Sequence, residues 1–283
     1  MIISVASGKG GTGKTTVAVN IALSLKGSVI VDCDVEEPNA AIFLKPEISS
    51  VEDVSALLPE VDESLCDRCG LCAGICEYKA INVFKNISSG VFILPHLCHN
   101  CGACVWICPH KAIKEVPKRI GIVETGFSGD IFYVAGRLDP GEIKTPFLIN
   151  EVKKKISRER PTIIDSPPGA SCPMVAAVKG SDFCLMVTEP TEFGMNDLEI
   201  AVEAVRKMNI PLGVVINKWE GQKDFEARLT GKGIKVIEKI PFDREIAVSY
   251  SKGATAISLP GYADIFGRIL EKIFLFANAG RSD

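Results

Sequence analysis

The chain has 283 residues, of which 47% are hydrophobic and 24% are charged. This length allows one large domain or two ordinary ones, and the apolar content is ample for a buried core. The net charge of −3 and a pI near 5.8 argue against a general nucleic-acid-binding surface, which is normally basic. We therefore expect no nucleic-acid partner.

The first residues show no export signal, because Met1 leads directly into the apolar run Ile2–Ala6 without a basic region ahead of it. No uninterrupted apolar stretch reaches the roughly 18 to 20 residues that span a bilayer. Cysteines that bind metal, as proposed below, require a reducing compartment. These features predict a cytoplasmic protein without a membrane span.

Short apolar runs alternate with helical patterns along most of the chain, beginning with a helical pattern over 15–25. Strands that are apolar on both faces and separated by helices indicate a parallel sheet covered on both sides. The sequence therefore predicts an α/β fold with a doubly wound, mostly parallel sheet. The predicted strands are 2–6, 28–31, 162–164, 183–187, 212–216 and 234–237.

The segment after the first predicted strand fits the phosphate-binding pattern G-x-x-x-x-G-K-S/T, between a strand and a helix as the pattern requires. Backbone N–H groups of such a loop surround phosphate oxygens, and the helix N-terminus adds positive potential. We expect Lys14 to neutralise the β- and γ-phosphates and the Thr15 hydroxyl to reach Mg²⁺. The predicted nucleotide-binding residues here are Gly8, Lys9, Gly10, Gly11, Thr12, Gly13, Lys14, Thr15 and Thr16.

A second lysine inside this loop, Lys9, gives the variant pattern KGGxGKT. With it the chain resembles the MinD/ParA/Mrp family of P-loop ATPases, on both sides of the cysteine-rich segment described below. The resemblance implies Mg-dependent ATP hydrolysis to ADP by a nucleotide-dependent homodimer, in which Lys9 reaches the partner's nucleotide. A cation supplied in this way stabilises charge on the transferred phosphoryl group.

Acidic residues after the second predicted strand extend this resemblance, because Asp32, Asp34 and Asn39 match the family's switch I. The match implies that Asp34 orients the attacking water near Mg²⁺, that Asp32 supports the metal shell and that Asn39 lies at the nucleotide. For Asp32 the simpler alternative stays open, because an aspartate at a strand end often only caps a turn.

Three later positions also resemble family motifs. Asp165 and Gly169 match Walker B and switch II, which implies that Asp165 holds Mg²⁺ through water and Gly169 contacts the γ-phosphate. Asn217 matches a strand-end asparagine that reads adenine, and Pro241 lies in a segment similar to the loop that closes over the base. The stretch 188–191 is expected near the dimer surface.

Eight of the eleven cysteines form two runs of identical spacing, C-x2-C-x2-C-x3-C, within a 32-residue repeat. At this spacing three thiolates of one run bind one 4Fe–4S cluster, and the fourth reaches the other cluster. We therefore predict two 4Fe–4S clusters. The predicted ligands are Cys66, Cys69, Cys72 and Cys108 for cluster one, and Cys98, Cys101, Cys104 and Cys76 for cluster two.

The repeat resembles the bacterial-type two-cluster ferredoxin over about residues 65–116. One departure is Glu77, which stands where the family pattern has the proline seen at Pro109. Structural zinc and disulfides are the alternatives, but zinc sites usually use two CxxC pairs and disulfide frameworks belong to small secreted chains. The single cysteines Cys33, Cys172 and Cys184 are expected to be ordinary apolar residues.

The cysteine-rich segment is predicted to be a small α+β ferredoxin-like insert at 61–117, which divides the ATPase domain into 1–60 and 118–283. Its edges are placed where Pro59 and Pro117 suggest loops. Two short alternating runs, 81–84 and 91–94, joined through 86–90, predict a hairpin inside it. Near the C-terminus, apolar spacing over 262–277 predicts an amphipathic helix, which either docks on its own domain or lies on a membrane surface.

Three functions remain open from the sequence. The favoured hypothesis is an ATP-hydrolysing homodimer whose nucleotide state gates electron transfer through two clusters, with an unknown redox partner. The second is a carrier that delivers clusters to apoproteins. The third is a MinD- or ParA-like positioning ATPase with structural clusters, which needs a basic or membrane-binding surface.

Overall fold

The computed structural model of the protein describes residues 1–84 and 90–279. The strands are β1 (Ile2–Ala6), β2 (Val29–Asp32), β3 (Glu47–Val61), β4 (Ile81–Val83), β5 (Val91–Ile93), β6 (Ile113–Ser128), β7 (Ile131–Leu138), β8 (Thr162–Asp165), β9 (Phe183–Thr188), β10 (Leu212–Trp219) and β11 (Val236–Pro241). The helices are α1 (Lys14–Leu23), α2 (Ala40–Leu44), α3 (Leu71–Ile75), α4 (Ala103–Ile107), α5 (Thr145–Lys153), α6 (Cys172–Val178), α7 (Glu192–Lys207), α8 (Lys223–Gly231), α9 (Arg244–Ser251) and α10 (Tyr262–Ala279).

The described residues form one nine-stranded sheet with the order β11-β10-β9-β1-β8-β2-β7-β6-β3. Pairing is parallel from β11 to β7 and antiparallel from β7 through β6 to β3. The predicted α/β fold with a mostly parallel sheet is confirmed. The central strand β1 lies between β8 and β9, so the loop that follows it emerges where the connections diverge to the two sides, the usual ligand position in such sheets.

The parallel strands are buried because helices cover both faces of the sheet. On one face, α1 and α10 pack against residues such as Ile3 and Val5. On the other, α5, α6 and α7 cover residues such as Ile164 and Met186. Each large aliphatic side chain buried in this way contributes about 1.5 to 3 kcal/mol relative to exposure.

The C-terminal helix α10 confirms the helix predicted over 262–277. Its apolar stripe, including Phe266, Ile269 and Ile273, is buried in the same core cluster as α1 and β1. The helix therefore docks on its own domain, the simpler of the two alternatives. Within the described residues, no helix is both long and apolar enough to cross a membrane.

Strands β3 and β6 pair from Glu47 opposite Phe127 to Val61 opposite Ile113, and we call this antiparallel pair the ribbon. Pro59 and Pro117 lie within these strands, so the prediction that they mark loops is wrong. Proline is tolerated where no neighbouring strand needs its N–H. The edge strand β3 meets this condition, and β6 meets it at Pro117 because β7 pairs only from Gly121 onward.

The ribbon runs from the large sheet to the cysteine-rich segment without a break. The proposed division into 1–60, 61–117 and 118–283 therefore stays a prediction, with both of its boundaries inside paired strands. The predicted hairpin is confirmed by the antiparallel pair β4–β5, from Ile81 opposite Ile93 to Val83 opposite Val91. Its predicted turn at 86–90 lies outside the described residues except for Gly90.

Candidate functional site

The loop between β1 and α1 has the backbone that phosphate binding requires. Gly11 and Gly13 have φ angles of 79° and 87°, in the left-handed region that favours glycine. A Cβ atom at Gly13 would lie 2.3 Å from Asn217 Nδ2. Position 13 therefore accepts only glycine without displacing Asn217.

This loop forms one wall of a cavity of about 520 Å³, which we call the nucleotide cavity. Its volume is within the usual range for small-molecule and cofactor sites. Most of the predicted nucleotide-binding residues line it. They are Lys9, Gly10, Gly11, Thr12, Gly13, Lys14, Thr15, Thr16, Asp34, Asn39, Asn217 and Pro241.

Four predicted site residues are outside that lining set, namely Gly8, Asp32, Asp165 and Gly169. A Cβ atom at Gly8 would lie 2.2 Å from the carbonyl oxygen of Asp197, so this glycine allows α7 to pack against the loop. Gly169 has a φ of 92°, and its N–H donates to the carbonyl oxygen of Ser7 at 2.9 Å. Both glycines hold the cavity walls together, and a phosphate contact for either remains a prediction.

Lys14 lies between two carboxylates at the base of the cavity. Its Nζ is 2.6 Å from Asp165 Oδ1 and 3.7 Å from Asp34 Oδ2. Burial alone disfavours the ammonium, but the charges of Asp165 and Asp34 outweigh it and raise the pKa of Lys14. Burial also raises the pKa of Asp34 to about 6.

The environment of Asp165 fits a hydrated magnesium ion. Its Oδ1 accepts from Lys14, whereas Oδ2 is buried without a hydrogen-bond partner among the described residues. A buried carboxylate oxygen left unpaired costs about 1 to 3 kcal/mol or more. Asp34 and Thr15 line the nucleotide cavity, and all three side chains carry hard oxygen donors of the kind that Mg²⁺ takes alongside phosphate oxygens and water.

Asp32 has a clear role within the protein. Its Oδ1 accepts from the N–H of Asp34 at 3.1 Å and its Oδ2 from the N–H of Ala40 at 2.9 Å. Burial, followed by the charge of Asp165, raises the pKa of this carboxyl to about 7. Asp32 thus shapes the loop that carries Asp34, as the capping alternative expects, and support of a metal shell stays a prediction.

Lys9 lies at the cavity wall with its Nζ 3.6 Å from Glu189 Oε2. Glu189 also accepts from Lys218 Nζ at 2.5 Å, so one carboxylate holds two cations at the rim. Glu189 is a residue that the sequence reasoning missed, because only its stretch 188–191 was noted. The side chain of Lys9 is about one-third exposed, at 32%.

Asn217 lies beside the phosphate loop at the end of β10. Its Nδ2 donates to the carbonyl oxygen of Thr12 at 2.8 Å, and its Oδ1 accepts from the N–H of Lys218 at 2.9 Å. An amide has two donor hydrogens and two acceptor lone pairs, so one of each remains for a base. Phe242 follows Pro241 on the cavity wall and is half exposed, at 53%, which adds an apolar surface that the sequence reasoning missed.

Two smaller cavities in the cysteine-rich segment are each lined by four cysteines. Cavity one contains three cysteines of the first run and the last of the second, and cavity two has the reverse composition. The residues are Cys66, Cys69, Cys72 and Cys108 in cavity one, and Cys76, Cys98, Cys101 and Cys104 in cavity two. These are the same two sets that the spacing predicts for two clusters.

The backbone conformation of the cysteine-rich segment repeats together with its sequence. Non-glycine residues with positive φ recur 32 positions apart, as do the glycines before α3 and α4. The N–H groups of Ala80 and Ala112 each lie 3.3 Å from the sulfur of Cys76 and Cys108, respectively. The repeated positions are Arg68 and Asn100 (φ 60° and 56°), Gly70 and Gly102 (84° and 71°), and Lys79 and Lys111 (53° and 50°).

Each cavity brings together four thiols, the number of ligands that a 4Fe–4S cluster takes. In the ranges that the structure describes, no three His, Cys, Asp or Glu side chains are arranged to hold one metal ion. A single zinc ion requires ligands that converge on one point, with zinc–sulfur bonds of about 2.3 Å. All eleven cysteines lie in the described ranges and are free thiols, so no disulfide competes.

The three remaining cysteines lie away from these cavities. Cys33 and Cys184 are fully buried in the core of the large sheet. Burial raises the pKa of the Cys184 thiol to about 12. Cys172 is exposed at the start of α6, so the expectation of a buried apolar residue is wrong for this cysteine. Cys33 and Cys184 therefore pack as small apolar residues, in line with the prediction.

The strand order, phosphate loop and carboxylate pair define a P-loop nucleotide-binding protein. Residues 3–256 match the family model of the CobQ/CobB/MinD/ParA nucleotide binding domain. The chain belongs to this family. An uncharacterised protein of Methanocaldococcus jannaschii is 33% identical over 252 residues, which cover 87% of this chain and 86% of that protein.

More distant proteins are also similar to this chain, in sequence or in fold. The iron–sulfur cluster carrier protein of Methanocaldococcus jannaschii is 24% identical, and the match covers 96% of this chain and 84% of the carrier. The cell division ATPase MinD of Pyrococcus furiosus has a TM-score of 0.59 at 20% identity, covering 97% of this chain and 98% of that one. MinD of Pyrococcus horikoshii, complexed with Mg-ADP, has a TM-score of 0.60 at 19% identity, covering 100% and 99%.

Proposed function

We propose that this protein is a Mg-dependent ATPase that works as a homodimer and couples its nucleotide state to electron transfer through two 4Fe–4S clusters. The observation that carries the proposal is the pair of cysteine-lined cavities, each with four thiols drawn from both runs. Two complete ligand sets favour clusters that are retained. Retained clusters in a nucleotide-binding protein suit a redox role.

At the nucleotide cavity, Lys14 would neutralise the terminal phosphates while Asp165, Asp34 and Thr15 hold hydrated Mg²⁺. Nucleotide phosphates compete with Asp165 for Lys14, so their arrival would release this carboxylate toward the metal. Lys9 would leave Glu189 and reach the nucleotide of the other subunit. Asp34, whose carboxyl carries a raised pKa, would orient the attacking water.

At the cysteine cavities, eight thiolates would hold the clusters, which supply one-electron chemistry when bound. The N–H groups of Ala80 and Ala112 donate toward two of these sulfurs and would stabilise their charge. The ribbon gives the two functions a mechanical link, because it continues from the large sheet to the borders of both cavities. Pro59 and Glu115 of the ribbon line cavity two, and Val61 and Ile113 line cavity one.

Metal analysis combined with reduction kinetics tests this proposal. Protein prepared without oxygen should carry about eight iron and eight sulfide per chain, as two cubanes require. Its rate of reduction by dithionite should change when MgATP is added. Stoichiometric zinc, or four irons, would overturn the two-cluster assignment, and a rate insensitive to MgATP would overturn the coupling.

Cluster delivery is the second candidate, and the similarity to a protein named as an iron–sulfur cluster carrier favours it. A carrier gives its cluster to an apoprotein, so iron should leave the chain when an apo-ferredoxin is added. Under the electron-transfer proposal, the iron content stays near eight while electrons pass. Mixing with apo-ferredoxin followed by iron analysis of both proteins separates the two functions.

A further inference from the structure

Cavity two has a cationic neighbour, Lys144, that lies outside the cysteine-rich segment. It belongs to the predicted ATPase domain (1–60 and 118–283), which we call the main domain. Lys144 immediately precedes α5, and its side chain is buried, with 8% exposure. Its Nζ donates to the carbonyl oxygen of Cys98 at 2.5 Å and to Asn100 Oδ1 at 3.2 Å. An ammonium of the main domain therefore holds the loop that begins the second cysteine run.

The residue after Lys144 contacts the other functional site. The Thr145 hydroxyl donates to Glu36 Oε1 at 2.8 Å, and Thr145 is itself buried. Glu36 lies two residues after Asp34, and the next residue, Glu37, lines the nucleotide cavity. A path of three side chains, Glu36, Thr145 and Lys144, thus joins the Asp34 loop to Cys98.

Cavity one has a different set of partners. The repeat position equivalent to Asn100 is Arg68, which lies 3.8 Å from Glu63 within the same segment. Asp67 accepts from the N–H of Cys69 at 3.0 Å and contacts His110 at 3.0 Å. The contacts of Asp67 are with residues of the insert, whereas Lys144 ties the second cysteine loop to the main domain.

We propose that Lys144 and Thr145 are positioning residues that transmit nucleotide binding to cluster two, and that cluster two responds more strongly than cluster one. This inference rests on the proposed function. Phosphates that draw Asp34 toward Mg²⁺ move the chain at Glu36, which pulls on Thr145. Because Lys144 is the adjacent residue, its ammonium then shifts relative to the cysteine loop.

The positive charge of Lys144 determines the direction in which the midpoint potential of cluster two should change. When a cluster takes up one electron from a reductant, its site gains one negative charge. A nearby ammonium stabilises that charge and so raises the midpoint potential. Moving the ammonium toward or away from cavity two should therefore change the potential of cluster two most, since Coulomb energy falls with distance.

The experiment is a redox titration of the iron-loaded protein, followed by electron paramagnetic resonance, with and without a non-hydrolysable ATP analogue and Mg²⁺. Lys144→Met should lower the potential of cluster two more than that of cluster one, and Lys144→Arg should largely restore it. Lys114→Met is the matched control, because Lys114 is exposed and pairs with Glu60 at 3.2 Å on the ribbon. It should cause no shift selective for cluster two.

Thr145→Val tests the path from Glu36 to Lys144, because it keeps the shape of the side chain and removes its hydrogen bond to Glu36. The potential of cluster two without nucleotide should stay near the wild-type value, while its response to the analogue should be lost. If Lys144→Met cannot retain its iron, Thr145→Val still decides the question, since it leaves the ammonium in place.

Two results would overturn the inference. One is an equal shift of both clusters in Lys144→Met, and the other is a response to the analogue that survives in Thr145→Val. If the analogue shifts neither cluster in the wild-type protein, the nucleotide coupling of the proposed function fails instead. The failure of the link and the failure of the function are thus distinguishable.

Discussion

The two halves of the cysteine repeat share a backbone but differ in what surrounds them. In the first half, Asp67 contacts His110, and both belong to the insert. In the second half, Asn100 donates to the carbonyl oxygen of Leu57 in β3 and accepts from Lys144 before α5. The repeat supplies two similar sets of thiols, and the residues that do not repeat connect one of them to the nucleotide-binding domain.

Equivalent positions in the two halves of the repeat also carry different pairs of side chains. Tyr78 stacks on His99 with ring centroids 3.5 Å apart, whereas the positions 32 residues away hold the His110–Asp67 pair. Stacked rings are stabilised beyond their buried area, whereas an exposed polar pair contributes little. The rim of cavity two is thus built from stacked rings, and that of cavity one from an exposed polar contact.

The largest expected effect comes from removing nucleotide binding, which should abolish the difference in response between the two halves. Lys14→Ala removes the deepest cation of the phosphate loop and should reduce ATP binding below detection in equilibrium titration with a fluorescent analogue. Lys9→Ala is the matched lysine variant, and it should bind ATP but neither dimerise nor hydrolyse it. Normal dimerisation and turnover by Lys9→Ala would show that its proposed contact across the interface is wrong.

The next largest effect is expected from removing one cluster at a time, which separates the two halves of the cysteine repeat. Cys69 and Cys101 are equivalent, exposed members of the two runs. Cys69→Ser and Cys101→Ser should each lower the iron content from about eight to about four per chain, because each leaves one complete ligand set. The remaining cluster should respond to nucleotide in Cys69→Ser and hardly at all in Cys101→Ser, and the opposite pattern would reverse our assignment.

A smaller effect concerns the backbone that the halves share. Gly70 and Gly102 have φ angles of 84° and 71°, and an alanine in this region costs about 1 to 2 kcal/mol. Among the described residues, an added Cβ meets nothing within 4 Å at Gly70 and comes no closer than 3.7 Å to Glu115 at Gly102. Gly70→Ala and Gly102→Ala should therefore lower the free energy of unfolding by similar amounts in denaturant titrations. A large inequality would contradict the equivalence of the two loops.

The smallest effect comes from making the repeat more symmetric. Cys76 and Cys108 have nearly the same backbone angles, with φ of −72° and −71° and ψ of 100° and 111°. Because these angles suit a residue before proline, Glu77→Pro should fold and match Pro109. It removes a negative charge that lines cavity two, so redox titration should find the potential of cluster two slightly raised. A lowered potential would contradict this electrostatic interpretation.

Local motifs explain what the sequence could predict. The phosphate loop and the cysteine runs are short and covalently spaced, so their positions on the fold and their partition between cavities could be read from residue intervals alone. Most of the parallel strands were equally visible because they are apolar on both faces, but β7, which pairs parallel to β2, was missed. The last of them was misplaced by a few residues, since β11 is Val236–Pro241 and the prediction was 234–237.

The contacts that connect the nucleotide cavity with the cysteine cavities could not be recognised from a local sequence motif. The ribbon was missed because most side chains of β3 are exposed, so its sequence lacks the apolar alternation of a core strand. Lys144 and Glu189 meet their partners only after distant strands have paired. Gly8 was assigned to phosphate binding, and only the packing of α7 reveals that a Cβ atom there would meet the backbone at Asp197.

The central claim is that nucleotide state and cluster chemistry are coupled, and one comparison tests it most directly. Asp34→Ala should trap the ATP-bound dimer, because it removes the residue proposed to orient the attacking water. Midpoint potentials and reduction rates of both clusters should be measured in this variant with MgATP and without nucleotide. We predict that cluster two differs between the two states more than cluster one, and identical values in both states would contradict the coupling.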